Sequence, residues 1–203
     1  MDEQQAIALL KNGNLDGLEE LVKRYQQQAL RAACLITADR FQAEDIVQSA
    51  FIRAAERINQ FDPHRPFGPW FLRCVVNDAL KACQRNKKVT ALDEDDNNPV
   101  LDLLDPTPLP EEQLESLELR RSVWLALQQL PPRQRAAIVM RYYLGLHEDE
   151  MSAKLNGPAG TVKWLLYAAR ERLAPLLAGF RPFDNKSGTT AREKDSSEWG
   201  GQK

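Results

Sequence analysis

From Ala91 to Pro110 the chain reads ALDEDDNNPVLDLLDPTPLP, with four prolines and no lysine or arginine. Proline withholds a backbone N–H, and a run this acidic cannot bury enough apolar surface to offset the cost of ordering it. The stretch is therefore expected to be an extended connector between two folded pieces, each of small-domain size. Charge follows the same division. Residues 1–90 carry thirteen bases against eleven acids, residues 91–118 none against ten, and residues 119–203 fourteen against eight. The formal net charge of −2 thus hides two mildly basic blocks around an acidic one. The connector reads either as a passive tether or as an acidic strand that occupies a basic channel in a partner, where nucleic acid would otherwise pass.

Both flanking pieces read as helices. A short one is expected over Asp2 to Asn12 and a longer one over Leu15 to Ala38, whose apolar face runs from Leu18 through Leu21, Val22, Tyr25, Ala29, Ala32 and Ala33 to Ile36. TADR breaks it. Asp39 can cap the next helix, with Gln42 placed three residues on as in a capping box. That helix runs from about Phe41 to Ile58 and buries Ile46, Val47, Ala50, Phe51 and Ala54. Glu44, Asp45, Gln48 and Ser49 lie on its first two turns. Acids there either stabilise the positive helix end or offer a docking face to a basic partner.

Beyond the connector, helix resumes from Glu111 to Leu130, with Leu114, Leu117, Val123, Leu127 and Leu130 as its core face, and LPP ends it. A short helix follows from Arg133 to Tyr143. Glu148 to Leu155, a turn at Asn156-Gly157, and a helix from about Ala159 to Leu176 have helix-turn-helix spacing. Val162, Leu165, Leu166, Ala169 and Leu173 would pack inward. Thr161 and Lys163 stand at the N-terminal end of the second helix, where backbone N–H groups favour phosphate, and Trp164 and Tyr167 would lie on its exposed face. An ordinary helical hairpin is the plain alternative. The fold class is all-α: two small helical domains joined by an acidic linker, the C-terminal one a helix-turn-helix. Gly179 to Lys203 is polar and is expected to be a disordered tail.

Phe61 to Lys88, FDPHRPFGPWFLRCVVNDALKACQRNKK, joins two unlike segments. Three prolines, one glycine and four aromatics between Phe61 and Phe71 make a stiff loop, with Pro69 suited to a first helical position. In the helix that follows, Phe71, Val75, Val76, Ala79, Ala82 and Cys83 recur as a buried stripe. Arg73, Asn77, Lys81 and Arg85, with Lys88 beyond, recur every four residues as a slowly winding basic band. Asp78 stands one position off it. Such a band suits a phosphate backbone, and its single asparagine could address a base edge. A solvated helix face is the bland reading of the same spacing.

Several function classes are not supported. MDEQQAIALLKNG lacks the apolar core of a signal peptide, and no window approaches the roughly 18 apolar residues of a membrane span. Cys34, Cys74 and Cys83 have no paired spacing, which suits reduced thiols in a cytoplasmic protein. His64 and His147 lie far apart, so no metal site is expected. There is no glycine-rich phosphate loop or nucleophile motif, so no catalytic residue and no cofactor is expected.

DRFQAEDIVQSAFIRA, FDPHRPFGPWFLRCVVNDAL, LPPRQRAAIVMRYY and GTVKWLLYAARERL occur in that order. Through them the chain resembles a bacterial RNA polymerase sigma factor of the extracytoplasmic-function group, in the sigma-70 family, over about Leu15 to Leu177. The resemblance implies a promoter-specificity subunit without catalytic activity, cytoplasmic, with core RNA polymerase, promoter DNA and an anti-sigma factor as partners and no membrane insertion. Residues 1–88 would form the region 2 domain, 89–112 the linker, 113–178 the region 4 domain and 179–203 the tail. Core polymerase contact falls on Glu44, Asp45, Gln48 and Phe51. Minus-ten DNA contact falls on Arg65, Phe67, Trp70, Arg73, Asn77, Lys81 and Arg85, and minus-thirty-five contact on Thr161, Lys163, Trp164, Tyr167 and Arg170. After GTVK the family carries Ser-Arg and further basic residues, whereas this chain has Trp164, Leu165, Tyr167 and Ala168. Lys154 and Gly157 likewise replace apolar positions. A free-standing helix-turn-helix regulator is the other reading, but it needs neither the AEDIVQ helix nor the acidic linker.

Overall fold

Asp2 starts the first helix by accepting the Gln5 N–H, and the Gln5 side chain accepts the Asp2 N–H in return, a complete capping box. The computed structural model describes residues 1–86, 113–155 and 158–179; the acidic connector, Lys88, the Asn156-Gly157 turn and the tail from residue 180 lie outside them. Among the described residues the regular structure is helical. The helices are α1 (Glu3–Lys11), α2 (Asp16–Thr37), α3 (Arg40–Glu56), α4 (Phe67–Asn86), α5 (Gln113–Gln128), α6 (Pro132–Ile138), α7 (Glu148–Leu155) and α8 (Ala159–Leu176). A 3-10 turn over Ile58–Gln60 follows α3, and a π-helical segment over Val139–Tyr143 continues α6.

Helices α1 to α4 form the first unit. α2 is its spine and packs against α1, α3 and α4. The α1–α2 crossing is very close: a Cβ on Gly17 would stand 2.2 Å from the Ala6 carbonyl oxygen. Asp39 does cap α3, accepting the Gln42 N–H at 2.9 Å, although no return bond from Gln42 completes the box. α2 ends on Ala38 at φ 63°, a left-handed position that favours glycine.

The loop before α4 is shorter than the sequence suggests. α4 begins at Phe67, two residues before Pro69. The first turn of a helix needs no N–H from its own residues, so proline is tolerated there without opening the helix. One of the orphan N–H groups has a distant partner: the Glu3 carboxylate accepts the Phe67 N–H at 3.0 Å. Glu3 also accepts the Tyr25 hydroxyl. Lys11 donates to the Phe61 carbonyl at 2.8 Å, so α1 holds the loop at both ends.

The second unit, α5 to α8, packs on the first. α6 lies against α2 and α4, and the π segment against α2. One continuous apolar core runs through both units. Trp124, not singled out by periodicity, is buried with Leu127 and Leu130, whereas Val123 is 36% exposed. Val162, Leu165, Leu166 and Ala169 face inward as their spacing predicts. Where the units meet, Arg135 is 7% exposed beside Cys83, and Arg31 of α2 lies beside the Tyr143 hydroxyl. Among the described residues no helix is long and apolar enough to cross a membrane.

Candidate nucleic-acid interface

The α4 helix divides into two faces. Phe71, Leu72, Val75, Val76, Ala79, Leu80 and Cys83 are buried. Arg73, Lys81 and Arg85 are exposed, and Trp70, Cys74, Asn77 and Asp78 are half-buried beside them. The four-residue repeat therefore lies on the outer face. Asp78 is the acid within reach of it. Arg53 of α3 donates to its carboxylate, and Lys81 stands 3.6 Å away. Arg53 thus offsets the charge that would otherwise weaken the band, and the contact with the largely solvated Lys81 is worth little.

Aromatic packing holds the start of α4 in place. Trp70 lies 5.0 Å from Phe61 and 5.4 Å from Phe67 between ring centroids, and Phe67 lies 5.6 Å from Phe71. Gly68 passes under Tyr25 so closely that a Cβ there would come within 2.6 Å of the ring. The Tyr25 phenol has its pKa pushed up to about 12 by burial and by its bond to Glu3. One expected DNA residue changes role here. Phe67 is 0% exposed, so it is a wall of the core and not a DNA contact. The proline-aromatic pattern of the loop gives no sign of which ring turns inward. Arg65 is exposed, 3.5 Å from Asp62.

Between α3, the 3-10 turn and α4 lies a pocket of about 220 Å³, lined by Arg53, Arg57, Gln60, Trp70 and Cys74 over a floor of Ala50 and Ala54. Its α4 wall, Trp70 and Cys74, stands three residues from Arg73 and Asn77 respectively, at the spacing of neighbours on a helix. Arg53, Arg57, Gln60 and Cys74 were not legible as site residues. Arg53 and Arg57 hold ordinary polar positions on and just after α3, Gln60 ends the 3-10 turn, and only the packing of α3 on α4 brings these three to Trp70 and Cys74. An aromatic wall with polar donors around it can hold an unstacked base.

A second groove, about 510 Å³, runs between α2 and α3. Its walls include Leu18, Val22, Leu30, Glu44, Asp45, Gln48 and Phe51, so the four residues expected to meet a protein partner are brought together. Phe51 forms its apolar base at 6% exposed, while Glu44, bonded to Arg40 at 2.9 Å, and Asp45 stand at the rim.

On α8, Trp164 and Tyr167 are 60% and 62% exposed and share the outward face. Thr161 is half-buried at the helix start, and Lys163 reaches to 3.9 Å from Glu148 of α7. Arg170, exposed and one turn on from Tyr167, is engaged by Tyr142. Its Nε donates to the Tyr142 hydroxyl at 2.9 Å, and its guanidinium lies 5.9 Å from that ring's centroid. It borders an apolar groove of about 640 Å³ between α2, α5, the π segment and α8, whose lining does not include Trp164 or Tyr167.

Residues 21–89 match the family model "Sigma-70 region 2" and residues 120–173 match "Sigma-70, region 4". The chain is 30% identical over 175 residues to the ECF RNA polymerase sigma factor SigW of Bacillus subtilis, covering 84% of this chain and 94% of that protein. It is 30% identical over 189 residues to the RNA polymerase sigma-H factor of Pseudomonas aeruginosa, covering 86% and 95%. In fold it is similar to CnrH as solved in complex with the cytosolic domain of CnrY, with a TM-score of 0.61, 22% identity, and coverage of 88% of this chain and 99% of that one.

Proposed function

The chain belongs to the extracytoplasmic-function group of the sigma-70 family, and from that premise we propose how its parts divide the work of a promoter-specificity subunit. As such a subunit it directs RNA polymerase to promoters. Residues 1–88 act as the region 2 domain, which binds core polymerase and opens the minus-ten element. Residues 113–178 act as the region 4 domain, which grips the minus-thirty-five element. Residues 89–112 are the acidic connector between them. The protein works in the cytoplasm and has no catalysis of its own; the active site is that of the core enzyme.

The observation that carries this division is the pocket walled by Trp70 and Cys74, which stand one turn from Arg73 and Asn77 on α4. One strand of an opened duplex would lie along Arg73, Asn77, Lys81 and Arg85, with a base unstacked against the indole. Melting costs a few kcal/mol per base taken out of the stack, and a pocket already formed in the free protein offsets it without reorganisation. The α2–α3 groove, with its acidic rim at Glu44 and Asp45, is the core polymerase dock. Thr161, Lys163, Trp164 and Tyr167 meet the minus-thirty-five duplex, with the two aromatics offering apolar contact to thymine methyl groups in place of a basic reading face. Arg170, one turn on from Tyr167 and oriented by Tyr142, adds a cation to this face. An anti-sigma protein is a further partner, in keeping with the similar fold of the sigma factor RpoE, solved in complex with the anti-sigma factor NepR from Bartonella quintana.

Transcription with purified core polymerase on a promoter library tests this reading. Asn77→Ala is expected to cut open-complex formation about tenfold with no change in the unfolding midpoint. Asp45→Lys is expected to compete poorly for core. A wild-type chain that neither binds core nor selects a promoter would overturn the reading.

A further inference from the structure

The pocket beside α4 carries information about which base it takes. Two arginines line it, one turn apart on α3, and they are not equivalent. Arg53 is committed to Asp78. Arg57 stands at the C-terminal end of α3, exposed, with no carboxylate partner among the described residues. Trp70, the flat wall, has its plane fixed by Phe61 and Phe67. Gln60 adds an amide at the rim. No carboxylate is among the lining residues, and burial raises the pKa of the Cys74 thiol, so that side chain keeps its proton and adds no negative charge.

We propose that Arg57 makes this pocket selective for an unpaired guanine, an inference that rests on the promoter-melting role given above. Guanine presents two acceptors side by side, O6 and N7, which match the parallel N–H groups of a guanidinium fork. On the corresponding edge cytosine and adenine turn an exocyclic amino group toward the same donors, and the nearest carboxylate, Asp78, is already taken up by Arg53. Thymine offers a single carbonyl on that edge. Adenine can still pair with Gln60 through its amide, but a neutral amide contact is weaker than a charged bidentate one, so adenine ranks second.

The test uses holoenzyme assembled from the full chain and bacterial core polymerase. Wild-type holoenzyme selects promoters from a randomised duplex library. The unstacked position is the one that becomes reactive on opening and whose base preference Trp70→Ala relaxes. Four templates differing only in that base pair are then compared for open-complex formation with wild type, Arg57→Gln and Arg57→Lys. Wild type is expected to favour guanine about tenfold or more over cytosine. Both variants are expected to bring that ratio to about twofold, while their unfolding midpoints match wild type. Lysine fails as well because it is a point charge and not a fork. Wild-type preference for another base overturns the proposal. So does an equal loss on all four templates in Arg57→Gln, which would make Arg57 a phosphate contact. Holoenzyme that opens no promoter removes the melting role itself, an outcome distinct from either.

Discussion

The two halves of the molecule deploy their aromatic residues in opposite ways. In the first, Tyr25, Phe51, Phe61, Phe67, Trp70 and Phe71 stack on one another, mostly buried, around the start of α4. In the second, Trp124 is buried but Tyr142, Trp164 and Tyr167 are turned outward. Polar satisfaction differs in parallel. α1, the loop and α4 are tied by Asp2, Glu3 and Lys11, each with a defined partner. Among the described residues, three buried side-chain atoms of the second unit, Gln128 Nε2, Gln134 Oε1 and Arg135 Nε, lack a hydrogen-bond partner, against Arg31 Nε in the first. A surface that must take an unstacked base into a shaped pocket gains from rigidity, because the protein then spends no free energy on arranging itself. A helix laid into an already formed duplex groove can adapt side chain by side chain.

The largest expected effect tests whether the buried rings of the first unit carry its stability. Phe67→Ala should cost about 3–5 kcal/mol in urea unfolding, whereas Trp164→Ala should change it by less than about 0.5 kcal/mol. Equal costs would erase the contrast. Next comes the polar burden of the second unit. Arg135 is buried, its one described hydrogen-bond partner is the Gln128 side chain, and burial pulls its pKa below the ordinary guanidinium value. Replacing both, as Arg135→Met with Gln128→Leu, should raise stability by about 1–3 kcal/mol in the same assay. A loss would mean that this pair helps to hold the second unit on the first.

A smaller effect addresses the one non-glycine residue at positive φ among the described residues. Ala38→Gly should stabilise the α2–α3 corner by about 1 kcal/mol, read as a rise in the thermal midpoint. The smallest concerns Tyr25. Its pKa rises from an ordinary 10 to about 12 on folding, so the folded state holds the phenolic proton more tightly. That contribution is complete below pH 10 and is lost as pH climbs from 10 toward 12. Unfolding followed across that window should show wild-type stability falling more steeply than that of Tyr25→Phe. Parallel curves would show that the Glu3–Tyr25 bond does not feel the titration.

The helices were legible because apolar residues recur at helical spacing, and the inward face of α8 follows from the same pattern. The basic repeat of α4 was legible for the same reason. What failed did so where long-range packing decides. Phe67 and Trp70 stand in one motif, yet one is a core wall and the other faces a pocket; local spacing carries no signal for that choice. Gln134 and Arg135 sit in a polar stretch, PPRQR, that reads as surface and is buried by α2 and α4. Arg170 lies on the exposed side of α8, as expected, but its bond to Tyr142, 28 positions earlier, is a contact that local spacing does not show.

The Glu3 carboxylate joins the opening turn of the chain to the opening turn of α4, 64 positions away. The elbow before α4, where promoter contact is proposed, therefore depends on a clasp fastened 64 positions upstream. Trimming or blocking that first turn would loosen the indole wall while every proposed DNA contact remained intact in sequence, a way of disarming the factor that no inspection of its reading residues would reveal.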